Sequence, residues 1–207
     1  MKTQVWAHRG ASAYAPENTL EAFRLAAEMG ADGVELDVQL SRDGELVVAH
    51  DETIDRVSNG TGYIKDYTLA QLKKLSFNRL FPDFKDARIP TLKEVYELLK
   101  PAGLTVNVEL KTGIILYPEI EEKVLALTAS MGMEDRVIYS SFCHPSLVRL
   151  KELNSGLKTG LLYSDGWIGA ADYGRRTVGV DALHPALYHM QDPDLIPAAR
   201  RQGLAVN

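Results

Sequence analysis

Short apolar runs alternate with amphipathic stretches along most of the 207 residues, and that alternation restricts the fold more than any single motif. Strand candidates are 5–8, 33–39, 46–50, 105–111, 137–141, 158–163, 181–184 and a start at 204–207. Helix signals fill the intervals. Asn18 with Glu21 predicts a capping box opening a helix that stops near Gly30. Thr91 with Glu94 opens another that ends before Pro101. Ile120, Val124, Leu127 and Met131 form a helical stripe, with Glu119, Glu121 and Glu122 in its favourable first turn. Asp192-Pro193 starts a last helix that closes at Gly203.

Strands joined through helices pair in parallel and are covered by those helices, which makes the class α/β. An open doubly wound sheet and a closed (β/α)8 TIM barrel then compete. No glycine-rich dinucleotide fingerprint follows the first strand, and polar groups recur at strand ends throughout. Both points favour the barrel, whose site gathers at the carboxyl ends of its strands. Ser41-Arg42-Asp43-Gly44 is far too short for a parallel crossover, so 46–50 is expected to return as an antiparallel β-hairpin. Residues 51–90 show no strand alternation and read as a small insertion at the barrel rim within one domain spanning 1–207. Without the hairpin strand seven parallel strands remain. The barrel is therefore expected to lack its last strand and helix, the chain ending mid-strand at Asn207.

Within Gly33-Val34-Glu35-Leu36-Asp37-Val38, side chains alternate across the strand, so Glu35 and Asp37 share a face about 7 Å apart. Two like charges on a strand flanked by apolar residues are costly unless a cation sits between them. Asn107, Glu109 and Lys111 repeat the pattern, with Val106, Val108 and Leu110 on the opposite face. Glu35, Asp37 and Glu109 thus offer hard oxygen ligands in a number suited to Mg2+ or Ca2+. His8 and His50 stand at strand ends beside these carboxylates and are the candidate proton carriers, because histidine titrates unaided near neutral pH. Arg9 has a fork suited to phosphate oxygens. Phe142, Tyr163, Trp167 and His184 end strands or open loops, where they would line a substrate pocket or pack the rim. Glu17 and Asn18 follow the first strand, Asn18 as a helix cap. Cys143-His144 places a thiol beside an imidazole, but sequence neighbours seldom point the same way.

His8-Arg9-Gly10, Pro16-Glu17-Asn18-Thr19, Glu35-Leu36-Asp37-Val38, His50-Asp51, Glu109-Leu110-Lys111 and Ser140-Ser141-Phe142 together resemble the glycerophosphodiester phosphodiesterases along the whole chain. The resemblance implies a TIM barrel of the phospholipase-C-like kind. It implies metal-dependent hydrolysis of deacylated phospholipids, such as glycerophosphocholine or glycerophosphoethanolamine, to glycerol 3-phosphate and an alcohol. By that similarity Glu35, Asp37 and Glu109 bind the divalent metal, and His8 and His50 act as general acid and base. Arg9 and Lys111 hold phosphate, and Glu17, Phe142 and His184 join them as substrate-binding residues. Which histidine is the acid stays open, as does the nucleophile, water or the substrate's own hydroxyl. Alternatives are a lysophospholipid or sphingolipid phosphodiesterase of the same barrel, which needs an apolar patch among Ile64, Tyr67, Leu69, Phe77, Leu80, Phe81 and Phe84, or a non-catalytic metal- or phosphate-binding barrel.

The formal net charge of −5 argues against nucleic acid and anionic membrane as partners, which leaves a small-molecule substrate. A single cysteine rules out an intrachain disulfide. No apolar leader or membrane-length run is present, so the expected compartment is the cytoplasm.

Overall fold

The computed structural model describes residues 3–207; Met1 and Lys2 lie outside them. The chain divides into two compact units, residues 1–137 and 138–207.

In the first unit β1 (Trp6–His8), β2 (Gly33–Leu40) and β4 (Thr105–Leu110) are parallel neighbours in that order. β3 (Leu46–Val48) pairs antiparallel with the end of β2, matching Val38 to Val48 and Leu40 to Leu46. Gly44, at φ +77°, turns the connection, with its N–H donating to Ser41 O. All eight residues of β2 are buried. Val34, Leu36 and Val38 supply one apolar face, while Glu35, Asp37 and Gln39 form the other. The apolar face shares a core with Phe23 and Ala26 of α1 (Leu20–Glu28) and with Leu92, Val95 and Tyr96 of α3 (Leu92–Leu99). Burying side chains of this size contributes about 1.5–3 kcal/mol each, the margin that lets the other face carry charge.

Helix starts follow local chemistry, with a correction at α1. Thr91 and Glu94 form the reciprocal capping box of α3. α1, however, is capped by Thr19, whose Oγ1 accepts from Ala22 N; Asn18 is in the left-handed region at φ +56° and donates Nδ2 to Asp37 Oδ2 at 2.8 Å. A buried carboxylate claims the amide because leaving it unpaired costs more than an alternative cap. α4 (Ile120–Ser130) buries Ile120, Val124 and Thr128.

Residues 51–90 contain a short 3-10 turn (Ile64–Asp66) and α2 (Leu69–Leu72), folded over a small core of Ile54, Ile64, Leu72 and Phe77 against Val47, Ala49 and Ile89. Tyr67 and Leu69 pack against that core, and Phe81 and Phe84 meet edge to face.

In the second unit β5 (Val137–Ser141), β6 (Lys158–Tyr163), β7 (Ala182–Pro185) and β8 (Ala205–Val206) are parallel, β5 beside β6, β6 beside β7 and β7 beside β8. α7 (Leu195–Arg201) matches the sequence reading, although Asp192 stands before it and accepts from Asp194 N rather than starting it, whereas α5 (His144–Leu153) answers to no helix read from the sequence. Between β6 and β7 lie α6 (Ala170–Asp172) and a wide-turned continuation, Tyr173–Val178, that no periodicity announced. Neither unit reverses its strand order as a doubly wound sheet does; sequential parallel neighbours are the winding of a (β/α)8 barrel.

Candidate active site

Strand register assembles the acidic cluster. His8 pairs with Glu35 across β1 and β2, Glu35 with Asn107 across β2 and β4, and Asp37 with Glu109 one rung further. The cluster therefore lies at the carboxyl ends of β1 and β4 and midway along the longer β2, on the face opposite the helix-packed core. One ligand oxygen each from Glu35, Asp37 and Glu109 lies within 4.8 Å of the others, and all three residues are buried. At an effective dielectric near 20, each such pair of charges repels by roughly 3 kcal/mol or more.

The electrostatics record that crowding. Burial, then Asp37 and Glu109, push the Glu35 carboxyl well above the usual range. Burial and Asp37 raise Glu109 to about 7 against the attraction of Lys111. Burial disfavours the Lys111 charge, but Glu109 and Asp37 outweigh it and hold its pKa up. Lys111 Nζ donates to Glu109 Oε1 at 3.1 Å and stands 3.9 Å from Asp37 Oδ1. Arg9 Nε stands 3.6 Å from Asp37 Oδ2. Asp37 Oδ1 and Asn107 Oδ1 are buried without a hydrogen-bond partner. Three buried carboxylates, too few countercharges and orphaned oxygens are the features a hard divalent cation satisfies, so the residues present fit one.

Around this cluster the candidate proton carriers and phosphate ligands are held by loops. Arg9 takes a left-handed turn (φ +59°) that lets its N–H donate to both the carbonyl and Oε2 of Glu35. Gly10 follows at φ +76°, and a Cβ there would lie 2.7 Å from the Ala22 carbonyl carbon, so only glycine fits. His8 Nε2 lies 3.8 Å from Glu35 Oε2. Desolvation and the Arg9 cation lower the His8 pKa, outweighing the carboxylates, so its neutral form is favoured at pH 7. His50 Nδ1 is 2.6 Å from Asp51 Oδ1. Burial opposes the Asp51 charge, yet Arg56 and His50 hold its carboxyl down at about 2. An ionised carboxylate only accepts, so Nδ1 carries the proton of this bond.

Two positioning groups were not singled out from the sequence. Gln39, next after Glu35 and Asp37 on the same face, donates Nε2 to the carbonyls of Ala49, His50 and Asp51, while its Oε1 accepts from Tyr117. Its two-residue spacing was the available signal. Arg56 contacts Glu17 and Asp51, 39 and 5 residues away, and nothing local announced it.

The structure thus brings His8, Arg9, Glu17, Glu35, Asp37, His50, Glu109 and Lys111 together in the first unit. Phe142 and His184 belong to the second. Phe142 follows β5 half exposed. His184 is buried in β7 with Nε2 2.9 Å from Asn207 Nδ2, and burial lowers its pKa to about 4. His144 is tied to Leu162 O and Tyr173 OH and stacked on Trp167, so both ring nitrogens are engaged away from any thiol chemistry.

The family described as the glycerophosphoryl diester phosphodiesterase family matches residues 8–207. A glycerophosphodiester phosphodiesterase of Caldanaerobacter subterraneus subsp. tengcongensis is 47% identical over 205 residues, covering 99% of this chain and 84% of the relative. One from Bacillus altitudinis is 42% identical over 185 residues, 88% of this chain and 75% of its own length. Among solved structures, the crystal structure of glycerophosphodiester phosphodiesterase from Agrobacterium tumefaciens str. C58 superposes with a TM-score of 0.86 at 32% identity, covering 99% of this chain and 85% of that one. A phosphodiesterase of Oleispira antarctica, in complex with the product sn-glycerol-3-phosphate, gives 0.79 at 29% identity over 99% and 91% of the two chains.

Proposed function

The chain belongs to the glycerophosphoryl diester phosphodiesterase family, and from that membership we propose that it cleaves glycerophosphodiesters of deacylated phospholipids, such as glycerophosphocholine or glycerophosphoethanolamine, to glycerol 3-phosphate and an alcohol. The observation that carries this reading is the buried convergence of Glu35, Asp37 and Glu109 within 4.8 Å, flanked by His8 and the Asp51-bonded His50. Glu35, Asp37 and Glu109 would hold a divalent cation of the Mg2+ or Ca2+ class, supplying positive charge where the phosphate oxygens gain negative charge during in-line attack. Arg9 and Lys111 bind the non-bridging oxygens, a stabilisation that grows as those oxygens gain charge. His8 and His50 act as a pair. One removes the proton of the attacking hydroxyl or water and the other protonates the leaving oxygen. Glu17 holds the Arg9 fork, with Arg9 Nη1 donating to Glu17 Oε1 at 3.1 Å. Phe142 and His184 stay proposed substrate-binding residues of the second unit, Phe142 half exposed and His184 buried.

The lysophospholipid alternative needs an exposed apolar patch at the rim, where Leu80 is 53% exposed. Of the rim residues it needs, Ile64 and Phe77 are buried in the insertion's own core, with Tyr67 and Leu69 against them. No described helix is long and apolar enough to cross a membrane.

The test is turnover of glycerophosphocholine, followed by release of glycerol 3-phosphate, before and after chelation and after return of Mg2+ or Ca2+. Activity that disappears with chelator, and is abolished in His8→Ala and His50→Ala while metal affinity is spared, supports the reading. Absence of turnover with either metal sinks it, and retained activity in either variant removes that histidine from its role.

A further inference from the structure

One charged group in the first unit is bonded to two parts of the candidate site. Arg56 sits in the turn 54–58 that opens the insertion, flanked by the buried Ile54 and the partly buried Val57. Ile54 is anchored by its N–H to Gly62 O, and Ser58 N closes the turn on Ile54 O. From there the guanidinium makes two bidentate contacts. Nη1 and Nη2 donate to Glu17 Oε2 and Oε1 at 2.8 and 2.7 Å. Nε and Nη2 donate to Asp51 Oδ2 and Oδ1 at 2.7 and 3.2 Å. Glu17 also accepts from Arg9, and Asp51 from His50 Nδ1.

We propose that Arg56 is a positioning residue, a clamp through which the insertion sets the orientation of both Arg9 and His50 without touching substrate. The planar fork suits this task. Its donors saturate both oxygens of each carboxylate, so neither carboxylate can rotate, and the partner held on the far side of each is fixed in turn. Holding Asp51 still also fixes the acceptor of the His50 Nδ1 proton and with it the orientation of the ring. A lysine has one ammonium and cannot hold both pairs of oxygens at once. The insertion is then more than a rim decoration, because its small apolar core fixes where Arg56 stands.

The role rests on the phosphodiester hydrolysis proposed above, so the test has an arm that does not depend on turnover. In Arg56→Ala, kcat for glycerophosphocholine should fall about 100-fold, the scale of a misoriented catalytic group. Arg56→Lys, which keeps a cation and a long stem, should lose at least about 10-fold in kcat while melting like the wild type. Guanidinium ion at sub-denaturing concentration should restore part of the rate in Arg56→Ala only. Independently, the low-field proton resonance of His50 Nδ1–H, assigned by its loss in His50→Gln, should be sharp in the wild type and broadened in both Arg56 variants. Wild-type kcat and an unchanged resonance in both variants overturn the clamp. So does a rate loss that follows the melting temperature alone and does not respond to guanidinium. An inactive wild type whose resonance still responds to Arg56 leaves the clamp standing and refutes the hydrolysis reading instead.

Discussion

Glu109→Gln in the metal-free protein tests the electrostatics of the cluster most directly. Glu109 titrates at about 7 in the folded chain against 4.5 for an ordinary glutamate. At about 1.4 kcal/mol for each pH unit, ionising it in the fold costs about 3 kcal/mol more than in the unfolded chain. Its folded pKa is raised, so the wild type binds more protons folded than unfolded between those values. Metal-free stability should therefore fall as pH rises from about 4.5 through about 7, then level off. Glutamine imitates the protonated acid and can still accept from Lys111. The variant should match the wild type near pH 4.5 and exceed it by about 3 kcal/mol at pH 8, which for a chain of this length is roughly 6–12 °C in Tm. Excess Mg2+ should narrow that margin. A cation at a hundredfold over its Kd stabilises the wild type by about 2.7 kcal/mol, and the variant, short of one ligand, gains less. Urea unfolding after dialysis against chelator, at both pH values and with Mg2+, measures all of this. A metal-free variant less stable than the wild type at pH 8, or equally stabilised at both pH values, would refute the reasoning.

Three further outcomes are expected. Gly10→Ala should lose at least about 1–3 kcal/mol by urea unfolding, from the left-handed backbone alone and before the overlap with Ala22; a loss below about 0.5 kcal/mol would show that the loop adapts. Ile54→Ala, which empties the fully buried centre of the insertion, should cost about 2–5 kcal/mol and lower kcat by loosening the seat of Arg56, read by paired unfolding and rate assays. Asp51 is depressed from 3.8 to about 2, so the stability it contributes is present above pH 4 and drains away as pH falls towards 2; Asp51→Asn should flatten the urea midpoint across that window.

Much of the site is legible from spacing alone. The two-residue strand period puts Glu35, Asp37 and Gln39 on one face and Asn107, Glu109 and Lys111 on another, with no tertiary information required. Thr91 and Glu94 cap their helix for equally local reasons. The failures have two causes. Asn18 has a cap's composition but serves Asp37, because a buried carboxylate far along the chain outbids the nearby backbone. The turns at 170–178 carry too little apolar period to stand out from a loop.

Local periodicity and turn chemistry, properties of neighbouring residues, were enough to establish alternating strands and helices, the acidic strand faces and the short return at Asp43-Gly44. How close the acids come, how far their protons are held away from ordinary values, and which arginine ties Glu17 to Asp51 were decided only when distant segments met. Pairwise electrostatics depends on separation in space and on exclusion of water, and neither quantity is written in the order of residues.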